Sequence, residues 1–210
     1  EKMALIKTSP TPEPVTEEVR RHSRDCAGLL AQLSDPDPTV RRWAARDLAD
    51  CPDISAALVE RLYQEADVSV REVILTTLTG LGDAIAVAGL VECLRSEDVP
   101  LRNEAIESMR QLPDAVAPIM RGLLVDADPD VRIFAVNILE SLCHPEVETW
   151  LIEVIDRDPH VNVCATAVDL LGEVGTVAAR ESLLRLKARF ANEPYIRFAA
   201  DLALERLCES

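Results

Sequence analysis

The chain has 210 residues, 37 of them acidic against 22 basic, giving a formal net charge of −15. Such a surface repels nucleic acid and anionic lipid, and no stretch of it approaches the roughly 18 apolar residues of a membrane span. Apolar residues make up 48% but aromatics only 3%. A core built from Leu, Val, Ile and Ala suits closely packed helices better than a sandwich or barrel.

Residues 1–15 show no periodicity. Thr8-Ser9-Pro10-Thr11-Pro12-Glu13-Pro14 is a polar, proline-rich stretch, which predicts a flexible N-terminal segment. Glu1 to Lys7 has no long apolar region followed by a cleavage site, so no signal peptide is expected. Six cysteines, Cys26, Cys51, Cys93, Cys143, Cys164 and Cys208, are scattered without CxxC spacing. In a chain of this size without an export signal they read as reduced core residues, and the protein as cytoplasmic. An opening helix is expected at about 16–33, with Leu29, Leu30 and Leu33 facing inward.

From there one unit recurs, and it places residues 16–210 in a single domain. The segments Asp37-Pro-Thr-Val40-Arg41, Asp67-Val-Ser-Val70-Arg71, Asp98-Val-Pro-Leu101-Arg102, Asp128-Pro-Asp-Val131-Arg132, His160-Val-Asn-Val163-Cys164 and Glu193-Pro-Tyr-Ile196-Arg197 align on an aliphatic anchor. Four residues after each anchor stand Ala44, Ile74, Ala105, Ala135, Ala167 and Ala200. Eight after come Leu48, Leu78, Met109, Leu139, Leu171 and Leu204, and eleven after come Cys51, Leu81, Leu112, Leu142, Val174 and Leu207. That spacing is one face of an α-helix.

The ends of the unit carry their own chemistry. The acid three before the anchor suits an N-cap, and Pro38, Pro129 and Pro194 suit the first helical position. Pro52, Gly82, Pro113, Cys143 and Gly175 stand where the helix stops, followed by Asp53, Asp83, Asp114, His144 and Thr176 as caps for a next helix. Those second helices are expected near 54–66, 84–96, 115–126, 145–156 and 177–190. Twelve helices in six pairs, none able to bury both faces alone, must stack into an all-α superhelix.

The Asp-x-x-Val-Arg step, the Ala four later and the Leu eight later resemble HEAT repeats. The short period is similar to the compact bacterial type named after phycobilisome lyase subunits. The resemblance implies that Asp37, Asp67, Asp98 and Asp128 with Arg41, Arg71, Arg102 and Arg132 bond between neighbouring repeats and hold the stack in register. In the fifth unit Cys164 replaces the arginine and the register is two residues longer, so that seam is expected to be looser or bent differently.

Nothing in the residues points to catalysis, a metal or another cofactor. The HEAT-type hydroxylases hold iron through paired His-Glu dipeptides, whereas His22, His144 and His160 precede Ser23, Pro145 and Val161. DNA glycosylases built from such helices need a cationic groove, which 37 acids against 22 bases argue against. Glycine-rich phosphate loops and nucleophile elbows are missing from the sequence. Cys143-His144 is a local oddity, but two ligands make a poor metal site. The expectation is a non-catalytic scaffold for another protein. The alternative implied by the resemblance is one subunit of a lyase that handles a linear tetrapyrrole.

In HEAT arrays the anchor helices typically line the concave side. Residues two, three and six after the anchor then form ladders between the core registers. Arg42, Trp43, Arg46, Val73, Ile133 and Phe134 are the candidate binding residues, because packing within their own unit does not require them. Phe198 and Leu202 stand in the same ladders.

Overall fold

The computed structural model describes residues 24–209, with side chains to residue 207. The proline-rich segment, His22, the start of the opening helix and the Cys208 side chain lie outside them. Twelve α-helices follow in order: α1 (Cys26–Gln32), α2 (Pro38–Asp47), α3 (Ser55–Gln64), α4 (Val68–Leu81), α5 (Ala84–Cys93), α6 (Val99–Arg110), α7 (Pro113–Leu123), α8 (Pro129–Leu139), α9 (Val147–Arg157), α10 (Val161–Val174), α11 (Arg180–Arg189) and α12 (Pro194–Glu209). Short 3₁₀ turns at Leu48–Asp50 and Val177–Ala179 extend α2 and lead into α11. The described residues contain no strand, and none of their helices is long and apolar enough to cross a membrane.

The registers read from the sequence become the core. Ala44, Ile74, Ala105, Ala135, Ala167 and Ala200 are fully buried, as are Leu48, Leu78, Met109 and Leu171, while Leu204 is half-buried. The register eleven after the anchor holds less well, since Leu81 and Leu112 are half-buried and Val174 is exposed. Leu30 is also exposed, so only Leu29 and Leu33 of α1 face inward. A seven-residue helix packed against one neighbour can hide only a narrow stripe.

Of helices consecutive in the chain, those joined across the acidic linker pack most closely, as α1 with α2, α3 with α4, α5 with α6, α9 with α10 and α11 with α12. Each packed unit therefore ends, rather than begins, with an anchor helix. At most seams consecutive anchor helices touch more extensively than the second helices beside them, which bends the stack with the anchor row inside. Tight contacts set the spacing of the outer row too. A Cβ on Gly89 of α5 would lie 2.4 Å from Cγ2 of Val59 on α3. Gly82 ends α4 at φ +55°, a conformation that glycine adopts without steric cost.

Asp37, Asp67, Asp98 and Asp128 cap α2, α4, α6 and α8 by accepting backbone N–H groups of the first turn. The expected Asp–Arg bridge between repeats occurs among these residues once, where Nη1 of Arg71 meets Oδ2 of Asp98 at 2.5 Å. Elsewhere the partner is a different carboxylate, five residues before the next anchor. Arg41 donates to both oxygens of Glu65 at 2.8 and 2.7 Å, and Arg132 to both of Asp158 at 2.6 and 3.1 Å. Asp35, Glu65, Ser96, Asp126 and Asp158 each accept the N–H of the residue that caps or precedes the next anchor helix. Asp37, Asp67 and Asp128 thus serve their own helices and Asp98 serves both its helix and the seam, while Glu65 and Asp158, two residues before the next cap position, take the arginines of the preceding repeat.

Arg102 departs from this scheme. Ser96 replaces the acid in its own linker, and the guanidinium bonds the Ser96 carbonyl and lies 5.1 Å over the Phe134 ring. The fifth seam is not loose: α10 and α12 form the most extensive helix contact among the described residues. Arg189 closes it from the opposite side, donating to the carbonyls of Ile155, Asp156 and Asp158 and to Sγ of Cys164. The thiols are not all reduced either, because Cys26 of α1 is disulfide-bonded to Cys51 after α2. The cytoplasmic expectation leaned on six reduced thiols, and such bonds persist in oxidising compartments.

Candidate functional site

The concave face is built from the solvent-facing stripe of each anchor helix. At its N-terminal end Trp43 is 39% exposed. Arg46 stacks over its ring at 4.1 Å and Arg42 lies at 5.7 Å. Arg46 is held there by two bonds to Oδ1 of Asp47, which also accepts from Arg24. Burial raises the Asp47 carboxyl, but these arginines outweigh it and keep the group below its ordinary range. The result is an indole with a fixed cation above it, a surface suited to aromatic or carboxylate groups.

The other candidates are less available. Val73, Ile133 and Phe134 are half-buried and pack against the core, and Arg102 covers the Phe134 ring. Trp43 apart, the position three after the anchor is half-buried or buried all along the row. The candidate residues therefore do not form one patch. Arg42, Trp43 and Arg46 cluster on α2, while Ile133 and Phe134 sit on α8 and are partly spent on packing.

A larger exposed stripe lies on α12, where Tyr195, Phe198 and Leu202 are 60%, 67% and 39% exposed. Their spacing of three and four residues aligns them on one helix face. At the places of Phe198 and Leu202 the other anchor helices carry Arg42 and Arg46, Glu72 and Thr76, Asn103 and Glu107, Ile133 and Asn137, or Ala165 and Asp169. Phe198 and Leu202 were legible as ladder positions, but Tyr195 precedes the anchor and lies outside any ladder read from it. A second face of α12 differs from this stripe, since Asp201 stands where the other anchor helices carry Ala45, Leu75, Ile106, Val136 and Val168.

Between these ends the concave face is acidic. A groove of about 450 Å³ between α4 and α6 is lined by Glu72, Glu104, Glu107 and Thr76. Oε2 of Glu104 is buried without a hydrogen-bond partner. Burial pushes the Glu104 carboxyl up, and Glu72 and Asp98 add to this against the pull of Arg71. Farther along, Asp169 and Glu173 line a smaller furrow between α10 and α12 that reaches Leu202.

On the outer row, α7 and α9 stand apart around a hollow of about 430 Å³ lined by Arg121, Val125, Trp150, Val154 and Arg157. His144 stacks on Trp150 at 4.9 Å, and its Nδ1 accepts the Glu146 N–H. The imidazole thus shapes a turn, beside an exposed Cys143. Among the described residues no group of three or more His, Cys, Asp or Glu side chains is placed to hold a metal ion.

Several solved structures are similar to this chain at low identity. The HEAT-like repeats protein of the archaeon Thermococcus onnurineus NA1 is 18% identical, with a TM-score of 0.49 over 88% of this chain and 87% of that one. An engineered protein solved by the Northeast Structural Genomics Consortium is 21% identical, with a TM-score of 0.44 over 89% and 99% of the two chains. The complex of CpcE and CpcF of phycocyanin lyase from Nostoc sp. PCC7120 is 18% identical, with a TM-score of 0.39 over 98% and 100%. No curated protein matches the sequence. The HEAT repeats family matches residues 26–110 and 116–205, nearly the whole described length, and the chain belongs to it.

Proposed function

We propose that this protein is a non-catalytic scaffold whose concave surface docks a partner protein. The observation that carries the reading is the distribution of exposed apolar side chains on the anchor row. On that row the exposed aromatic residues are Trp43 at one end and Tyr195 and Phe198, joined by Leu202, at the other, while between them Val68, Val99 and Val174 are open only at helix ends. Aromatic and arginine side chains concentrate interface energy, and Trp43 comes with Arg42 and Arg46 around it.

The test is site-specific photo-crosslinking in the native cell. A benzophenone side chain at position 198 or 43 should give a discrete protein adduct, and one at exposed Glu60 or Glu181 on the outer row should not. Adducts from the outer row alone would overturn the concave assignment. In parallel, Trp43→Ala should leave melting nearly unchanged while weakening capture of the crosslinked protein by about thirtyfold.

A further inference from the structure

The exposed stripe on α12 and the carboxylates beside it constrain what can lie on the concave face. Tyr195, Phe198 and Leu202 form an apolar strip on one helix. Next to it, α10 contributes Asp169 and Glu173, and farther in α6 and α4 contribute Glu104, Glu107 and Glu72. Arg206 lines the furrow with Glu173, Asp169 accepts from the Tyr195 hydroxyl and Glu107 lies 3.9 Å from Arg110, while Glu104 keeps one oxygen buried and unbonded. Glu72, Glu104 and Glu107 repel one another in the groove between α4 and α6, where field lines focus, and Asp169 and Glu173 extend the acidic surface in a second furrow. An occupant bearing positive charge relieves that repulsion, and an acidic one increases it.

Resting on the scaffold reading above, we infer that the concave face takes a basic, extended segment of a partner protein, with a large apolar residue at one end. The apolar end seats on Tyr195, Phe198 and Leu202, and lysine or arginine side chains face Glu173, Glu107, Glu104 and Glu72. From α12 to α6 is three helix spacings of about 8–10 Å each. At about 3.3 Å per residue, an extended segment of roughly ten residues spans it. Burial and like charge already push the Glu104 carboxyl up, and a lysine beside it would reverse that direction.

The probe is a fluorescein-labelled peptide of about ten residues that alternates Lys with Ser and ends in Leu-Phe, made with the pair at either terminus. Anisotropy should show binding that weakens as salt rises. Replacing every Lys with Glu, or Leu-Phe with Ser-Ser, should abolish or greatly weaken it. Phe198→Ser and the pair Glu72→Gln with Glu107→Gln should each weaken binding about tenfold. The outer-row pair Glu60→Gln with Glu181→Gln removes the same charge and should leave it unchanged.

Equal loss from inner and outer pairs would mean attraction to net charge alone and would overturn the proposal. So would failure of both lysine peptides to bind. Concentration-dependent self-association abolished by Phe198→Ser would make a second copy of the chain the occupant, again overturning it. If the concave crosslinks form but the lysine peptides do not bind, the partner chemistry falls and the scaffold reading stands. If the crosslinks form only on the outer row, the scaffold surface itself is wrong.

Discussion

Glu65 is a carboxylate with a side chain fully removed from solvent, and three donors converge on it. Arg41 contributes two bonds, Arg61 two more, and the Asp67 N–H a fifth. Burial raises the carboxyl, but these donors prevail and hold it down at about 2, against an ordinary 4.5. A depressed carboxylate stabilises the fold above its unfolded value, and that stability is lost as pH falls through the folded value. The difference of about 2.5 units corresponds to roughly 3 kcal/mol, fully present above about pH 5 and lost between about pH 5 and 2. Glu65→Gln should therefore lower the urea midpoint strongly at pH 7, where it leaves two arginines without their countercharge. The gap between mutant and native protein should narrow steadily as pH falls toward 2. A gap independent of pH would show that Glu65 does not carry this linkage. Its role was hidden in the sequence because Asp35, Glu65, Ser96, Asp126 and Asp158 vary in type, whereas the capping Asp two residues later repeats cleanly. Spacing alone gives two acids near each arginine and cannot say which one the guanidinium reaches.

Among the elements, α1 is the slightest. It has seven residues, buries Leu29 and, through its cap, Leu33, and is tied by the Cys26–Cys51 bond to the turn after α2. A crosslink between residues 25 apart limits the unfolded chain by about 3 kcal/mol on the loop-entropy account. Reduction, or Cys26→Ser with Cys51→Ser, should lower the thermal midpoint and expose α1 to hydrogen exchange before the helices beyond it. An unchanged midpoint, with a free-thiol count of six in the native protein, would remove the bond from the structure's ledger. Helix positions themselves were legible to within a few residues, because the anchor, small-residue and leucine registers coincide six times. The disulfide was not, since Cys51 also fills a core register and nothing in linear spacing brings Cys26 to it. The stripe on α12 was legible in part. Phe198 and Leu202 fall on ladder positions, but only the packing of α10 against α12 shows that their face stays open while Val73 and Phe134 are drawn inward.

At the scale of the whole array, a linear stack is expected to open from its ends, because each unit contacts only its neighbours. This molecule has a softer place inside. The helix α7 touches α5, α6 and α8 only sparsely and α9 hardly at all, and hollows of about 640 and 430 Å³ flank it. Its own chemistry agrees with that. Pro118 stands within the helix and removes one bond of the ladder, and no side chain caps the N-terminus at Leu112. What holds α7 is chiefly the burial of Val116, Met120 and Leu123. The prediction is that amides between Val116 and Leu124 exchange through a local opening of lower free energy than those of α5 and α9 on either side. Hydrogen-exchange mass spectrometry in low urea would resolve this as a fast interior segment between two protected ones. Pro118→Ala should restore the missing bond and raise protection in that segment, leaving α3 and α11 unaltered. Exchange in α7 that matches α5 and α9 and ignores the substitution would show that the outer row is uniformly stiff. A soft α7 instead lets the two halves of the rod flex about the middle, changing the curvature of the concave face without breaking the anchor row that lines it.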